Sequence, residues 1–276
     1  MTMPSNLTTI IITKNEASML AACLETLSFS QHIIVVDNGS SDETVSIAEH
    51  YGCQVLNFAS ASFASLRDKA IAAVKTDWLM YVDADERVSP ALAKEILSNL
   101  DNLSCQAMTF KRDNICYGQQ LFHGNWQNDL VTRVFRKNSL QGWFGEIHES
   151  PKFDGQALVL NNALLHLTHR STQENLYKSA AWTIKEAELL AQAQIKPVTF
   201  ALIIRKGVME FYRRVVRHKA YKDGLAGLIE ALVQAINRMI VYIQVWELQQ
   251  KPSLPKLYQA QEQKMRQLWK AQGKLF

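Results

Sequence analysis

Residues 78–88 read WLMYVDADERV. Trp78 to Val82 suit a buried strand, and Asp83, Asp85 and Glu86 follow at once. Three carboxylates in four positions repel one another, and burial makes the repulsion worse. A single acid at a strand end reads as a cap for the helix near Pro90 or as a partner of Arg87. Three acids read as a site, provided other strands bring partners to the same edge.

The flanking sequence predicts such strands. LTTIIIT (7–13), HIIVVD (32–37) and QVLNF (54–58) are short, apolar and rich in β-branched residues, as buried parallel strands are. Between them lie helical patterns over Glu16–Leu27, over Glu43–Tyr51 with Ser41 as its N-cap, and over 65–75. Pro90 suits the first turn of a helix reaching about Leu100. This alternation predicts an α/β fold with a doubly wound, mostly parallel sheet. From about 105 to 170 the pattern turns to strands and loops, predicting an antiparallel extension that supplies the acceptor side of a cleft. From 171 the signals are helical. The expected domains are a catalytic unit over 1–170, with its nucleotide half at about 1–104, and a helical region over 171–276.

In an open α/β sheet, ligands bind beyond the carboxyl ends of the strands. Asp83 and Asp85 fall at such an end, as do Asp37 after the second strand and Glu16 after the first. Acids gathered there call for a divalent cation, and oxygen donors suit Mg²⁺ or Mn²⁺. A cation held by one or two carboxylates shares its other positions with phosphates, which points to a nucleoside diphosphate. Neither G-x-G-x-x-G nor a P-loop pattern occurs. The four cysteines form no C-x-x-C pair, so a zinc site is not expected, and reduced thiols in a cytoplasmic setting are.

IIITKNE (10–16), VVDNGSSDET (35–44) and WLMYVDADER (78–87) together resemble the family-2 glycosyltransferases of GT-A fold. HGNWQNDLVTRVFRK (123–137) and GWFGEIHE (142–149) resemble the bacterial subgroup that includes lipopolysaccharide inner-core β-1,4-glucosyltransferases. The resemblance implies inverting, metal-dependent transfer of a sugar from a nucleotide-sugar such as UDP-glucose to a lipid-linked glycan. It places Thr13 and Glu16 beside the base and ribose, Asp37 on the base or ribose, Asp83 near ribose and metal, and Asp85 on the metal. Arg67 matches a basic position near the nucleotide and suits a solvated helix residue equally, whereas Asp68 stands where Asn is common. The acceptor hydroxyl needs a general base. Glu149 is the first candidate and Glu146 the second, with His148 as a metal ligand or diphosphate donor. Asp129 and Arg133 are weaker candidates, and Arg133 suits either the diphosphate or a surface strand position. Trp126 and Trp143 suit either sugar stacking or packing.

The charge is uneven. Residues 196–276 hold 15 basic and 5 acidic side chains, although the whole chain carries only +4. A basic C-terminal part suggests an anionic partner surface. In 198–218, Phe200, Ile204, Val208, Phe211 and Val215 form an apolar stripe, with Lys206, Arg213, Arg214 and Arg217 on the opposite arc. That pattern suits peripheral attachment to the inner face of the cytoplasmic membrane. The apolar 223–246 stretch is broken by Glu230, Gln234, Asn237 and Arg238, so it reads as a packing helix, possible also as a homo-oligomer contact, and not as a span. Neither stretch has the composition of a nucleic-acid binder. Two other classes fit less of the pattern: a non-catalytic membrane- or glycan-binding module on this fold, and a nucleotidyltransferase.

Overall fold

The computed structural model describes residues 6–58, 63–144 and 150–272. They form two compact units that divide between Ser171 and Thr172.

In the first unit β1 (Leu7–Thr13), α1 (Ala17–Glu25), β2 (His32–Asp37), α2 (Thr44–His50), β3 (Gln54–Asn57), α3 (Phe63–Ala73) and β4 (Trp78–Asp83) alternate as expected. β5 (Glu86–Val88) and α4 (Pro90–Ser98) follow. Then come β6 (Ala107–Cys116), β7 (Gln119–Gln120), β8 (Leu130–Arg136), β9 (Leu140–Phe144), β10 (Ser150–Phe153), β11 (Ala157–Val159) and β12 (Leu164–Leu167). The main sheet runs β3-β2-β1-β4-β8-β6-β12-β5, with β7 and β11 on β6. β3, β2, β1 and β4 are parallel, and β8 enters antiparallel to both β4 and β6. β9 and β10 form a separate antiparallel pair. This is the GT-A arrangement, a curled and mostly parallel sheet whose inserted antiparallel strand joins the two halves.

Strand side chains alternate between faces. Leu7, Ile11, Val35 and Met80 pack with Leu20, Leu24, Leu92 and Ile96 of α1 and α4. Ile10, Ile34, Val36, Leu79 and Tyr81 pack with Leu66 and Ala70 of α3. Helices on both faces bury the strands on both sides, which explains why their sequences are nearly continuous apolar runs.

One cap differs from the sequence reading. α2 begins at Thr44, and Ser41 does not cap it. Glu43 stands at the N-cap without a side-chain bond, while the Asp42 carboxylate accepts the Thr44 and Ala17 amides, both at 3.1 Å, and so ties the starts of two helices together. Ser89 caps α4 by accepting from the Leu92 amide at 3.1 Å, so none of the three acids is needed as a cap.

The second unit contains α5 (Thr172–Gln192), α6 (Phe200–Tyr212), α7 (Gly224–Leu248) and α8 (Leu254–Ala271). α7 packs on α5 and α6. The stretch Ala220–Leu248 is long and apolar enough to cross a membrane by length and composition, which the sequence reading did not allow. Its polar positions nevertheless have partners inside the unit. Gln234 Nε2 donates to Glu230 at 2.9 Å, Asn237 Nδ2 donates to Ser179 Oγ at 2.8 Å, and Arg238 pairs with Glu186.

The apolar stripe of α6 faces outward, on the side where the sequence reading put an attachment surface. α6 turns Ile203, Gly207 and Glu210 inward, while Phe200 is 78% and Val208 62% exposed. Gly207 sits where a Cβ would lie 2.5 Å from Met239 Cγ, so its lack of a side chain lets the two helices approach. The basic arc is largely engaged as well. Glu210 accepts from Arg213 Nη2 and Arg214 Nε, both at 2.7 Å, and Lys206 Nζ lies 5.0 Å from the Tyr242 ring centroid.

Candidate active site

Strand register assembles the site. Thr13 pairs with Asp37 across β1 and β2, and Ile12 pairs with Asp83 across β1 and β4. Thr13, Asp37 and Asp83 therefore share the carboxyl edge of three adjacent parallel strands. Thr13 is buried, and its Oγ1 has no hydrogen-bond partner among the described residues. A buried hydroxyl left open at a strand edge is an atom for a ligand to satisfy.

Asp37 shapes the turn beside it. Its Oδ2 accepts the amides of Gly39 and Ser40, both at 2.9 Å, and its Oδ1 accepts from the Ser40 hydroxyl. Glu16 is half-buried at the start of α1, and its amide donates to Thr44 Oγ1 at 2.9 Å. The two loops expected beside base and ribose are thus bonded to each other.

The acids after β4 separate into distinct roles. Glu86 is fully buried, and its Oε2 accepts the Asp83 amide at 2.9 Å, which closes the turn. Arg133 is buried too, not a surface strand residue. Its Nη2 lies 2.5 Å from Asp83 Oδ2 and 3.3 Å from Glu86 Oε1. Burial opposes ionisation of Asp83, yet the Arg133 guanidinium outweighs it and holds the carboxyl below its usual range. Burial dominates at Glu86 and raises its pKa, with Arg133 only partly compensating. Burial removes the surface-strand reading of Arg133, and its guanidinium neutralises the acidic turn.

Asp129 belongs to the same network. Arg112 grips it with two nitrogens at 2.8 and 3.1 Å, and Asn114 Nδ2 donates to it at 3.0 Å. Burial would raise the Asp129 pKa, but the Arg112 hydrogen bond lowers it. Asn114 Oδ1 in turn lies 2.6 Å from His166 Nδ1. A proton on Nδ1 donated to that oxygen leaves Nε2 as a lone-pair donor. Nε2 faces Asp85 Oδ2 at 3.7 Å. β12 delivers the imidazole, since His166 pairs with Asn114 of β6 on one side and with Glu86 of β5 on the other.

Two donors 3.7 Å apart can both reach a cation at about 2.0–2.2 Å, the range of Mg²⁺ and of imidazole-bound metals. Among the described residues no three His, Cys, Asp or Glu side chains converge as a self-sufficient metal cage. A pair of donors fits a metal that completes its shell with ligand phosphate oxygens. His166 was not singled out in the sequence. Its only signal there is an ionisable residue inside the apolar ALLHLTH stretch.

Arg67, open to a solvated reading, is instead enclosed by aromatic rings. Its Cζ lies 4.2 Å from the Trp143 centroid and 5.8 Å from that of Tyr81. Burial lowers its pKa and Asp83 opposes this, which places the guanidinium within the field of the site. Trp143 packs on Tyr81 and Phe135 and is not an open sugar platform. Trp126 is half-buried, edge-on to His169 at 5.7 Å. Behind the acidic turn, Cys23 Sγ donates to the Asp83 carbonyl at 3.6 Å, and burial pushes its pKa up to about 12. Glu146, His148 and Glu149 lie outside the described residues.

The chain belongs to glycosyl transferase family 2, whose profile matches residues 8–161. It is a glycosyltransferase. It is 23% identical over 251 residues to the lipopolysaccharide core biosynthesis glycosyltransferase LpsC of Rhizobium meliloti, covering 87% of this chain and 92% of that one. An uncharacterized glycosyltransferase of Rickettsia felis is 24% identical over 253 residues, with 83% and 86% covered. Among solved structures, S. aureus TarS in complex with UDP-GlcNAc shares 13% identity at a TM-score of 0.47, covering 87% of this chain and 89% of that one.

Proposed function

We propose that this glycosyltransferase is metal-dependent and inverting, and moves a hexose, glucose from UDP-glucose, to a lipid-linked glycan such as the lipopolysaccharide inner core. The observation that carries the reading is Asp85 facing His166 Nε2 at the edge that also holds Asp83 and the open Thr13 hydroxyl. The kinship with LpsC supports a lipopolysaccharide acceptor. Such an acceptor would bring the enzyme to the inner face of the cytoplasmic membrane as a peripheral protein.

Asp85 and His166 would hold Mg²⁺ or Mn²⁺, with Asp83 beside them; when bound, the cation supplies charge stabilisation to the departing diphosphate. Thr13 and the linked loops at Glu16 and Asp37 would receive the nucleoside, and Arg67 would add positive charge beside it. Arg133 keeps the Asp83 carboxylate ionised and fixed. The acceptor oxygen forms its bond to the sugar anomeric carbon while the carbon–phosphate oxygen bond breaks on the opposite face. The hydroxyl proton passes to the Glu149 carboxylate. Glu146 and His148 in the same segment would orient acceptor and diphosphate.

A nucleotide-sugar screen with and without Mn²⁺ tests this. UDP-glucose should be turned over only with metal, and Glu149→Gln should lower kcat by about 10²–10⁴ with donor affinity nearly unchanged. Normal turnover by Glu149→Gln with a dead Glu146→Gln would exchange the two acids. Turnover in EDTA would remove the metal from the mechanism.

A further inference from the structure

α8 is an 18-residue helix with no buried residue. Leu254, Leu257, Tyr258, Met265, Leu268 and Trp269 recur at spacings that put them on one face. Met265 is 55% and Trp269 59% exposed. Helices of this length draw most of their stability in water from packing an apolar face. α8 has a strong apolar face with nothing in the chain packed on it among the described residues.

The charges on α8 indicate what covers it. Residues 251–272 carry Lys251, Lys256, Lys264, Arg266 and Lys270 against the single acid Glu262. A second α8 laid alongside would bring five cations against five. An anionic lipid surface turns the same cations into attraction, with lysine and arginine stems reaching up from the polar face. Leucine, tyrosine and tryptophan on one face with cations and glutamines on the other is the composition of an interfacial helix. The rest of the unit is consistent with a lipid-facing surface, since α7 leaves Leu225, Leu232 and Trp246 exposed.

We infer that α8 is the membrane-docking element: it lies in the headgroup region of anionic lipid with Leu257, Leu268 and Trp269 pointing into the acyl boundary. The lipid partner is the one the proposed function calls for and so rests on that reading, whereas docking itself needs no sugar chemistry.

The full chain should co-sediment with vesicles of phosphatidylglycerol and phosphatidylethanolamine, and at least tenfold less with phosphatidylcholine alone. Raising salt from about 0.1 M to 1 M, which shortens the screening length from about 10 to 3 Å, should release it. Leu257→Glu combined with Leu268→Glu should cut binding at least tenfold and leave the thermal melt and UDP-sugar hydrolysis unchanged, because neither side chain is in a core. Changing Lys256, Lys264, Arg266 and Lys270 to Gln should weaken binding and flatten its salt dependence. Wild-type binding by the double Glu variant overturns the assignment. So does a dimer that ignores vesicles and becomes monomeric in that variant, which would make a second copy the occupant. The vesicle measurements contain no sugar substrate, so a failure of catalysis and a failure of docking are read separately.

Discussion

The two units place charge and apolar surface in opposite ways. At the sheet edge, Asp83, Glu86, Asp129, Arg112 and Arg133 are drawn inward and paired. In the helical unit, Phe200, Val208, Leu225 and Trp269 are left outward. Taking charges out of water is costly, and a fold tolerates it where pairing and hydrogen bonds repay most of the cost. Leaving large apolar side chains in water is costly too, and is sustained where a further surface covers them. The first pattern marks a place where chemistry is prepared, the second the kind of surface that the docking proposed for α8 would cover.

The largest expected effect breaks the chemical side only. Asp85→Ala should lower transfer by about 10³ or more, since it removes a metal ligand facing the diphosphate, while the melting temperature stays near that of wild type. Full activity in EDTA-treated buffer would show that Asp85 is not a ligand.

Arg133→Leu should destabilise the first unit by about 3 kcal/mol, because it strands the fully buried Glu86 carboxylate, whereas Asp83, with its side chain 40% exposed, can still turn to water. The effect should depend on pH. The folded pKa of Asp83 is depressed, so its stabilising contribution is present above the ordinary carboxyl range and fades as pH falls through the depressed value. Glu86, whose folded pKa is raised, contributes in the opposite sense: its part is present below about 4.5 and lost as pH rises through the raised value. Without Arg133 both carboxyls hold protons more tightly in the folded state. The variant should therefore lose less stability at pH 4.5 than at pH 7.5, measured by urea unfolding at each.

Asn114→Ala should weaken apparent Mn²⁺ affinity by about 10–100-fold by freeing the His166 tautomer and ring, with a smaller effect on kcat at saturating metal. An unchanged metal titration would place His166 outside the cation site.

Arg238→Leu makes the matching test in the helical unit. Its pair with Glu186 is about one-third exposed on each side, so its loss should cost about 0–1 kcal/mol. A loss as large as that of Arg133→Leu would erase the distinction between the two units.

Most of the first unit was legible because its signals are local. A strand buried on both faces must be apolar throughout, so β1, β2 and β4 could be read directly from their runs, and the acids at their ends followed. His166 was not legible, because its partners Asp85 and Asn114 are brought to it by pairing of β12 with β5 and β6 across the sheet. Arg133 was ambiguous for the same reason: only the insertion of β8 beside β4 turns it inward. In α6 the apolar stripe was legible, but the seam along which the helix packs was not. The helix pair meets along Ile203 and Gly207, where small size permits close approach, while the larger stripe faces away. Amphipathicity identifies a face and leaves open what that face meets.

Cys23 gives the acidic turn a clock. Its thiol is buried directly behind Asp83 and held almost wholly protonated at neutral pH, so it reacts with an alkylating reagent only when the turn lifts. Peptide mapping after timed alkylation would separate it from the half-buried Cys53 and yield the opening equilibrium of the turn. A donor analogue that clamps the turn shut should slow that single modification while Cys53 continues at its own pace.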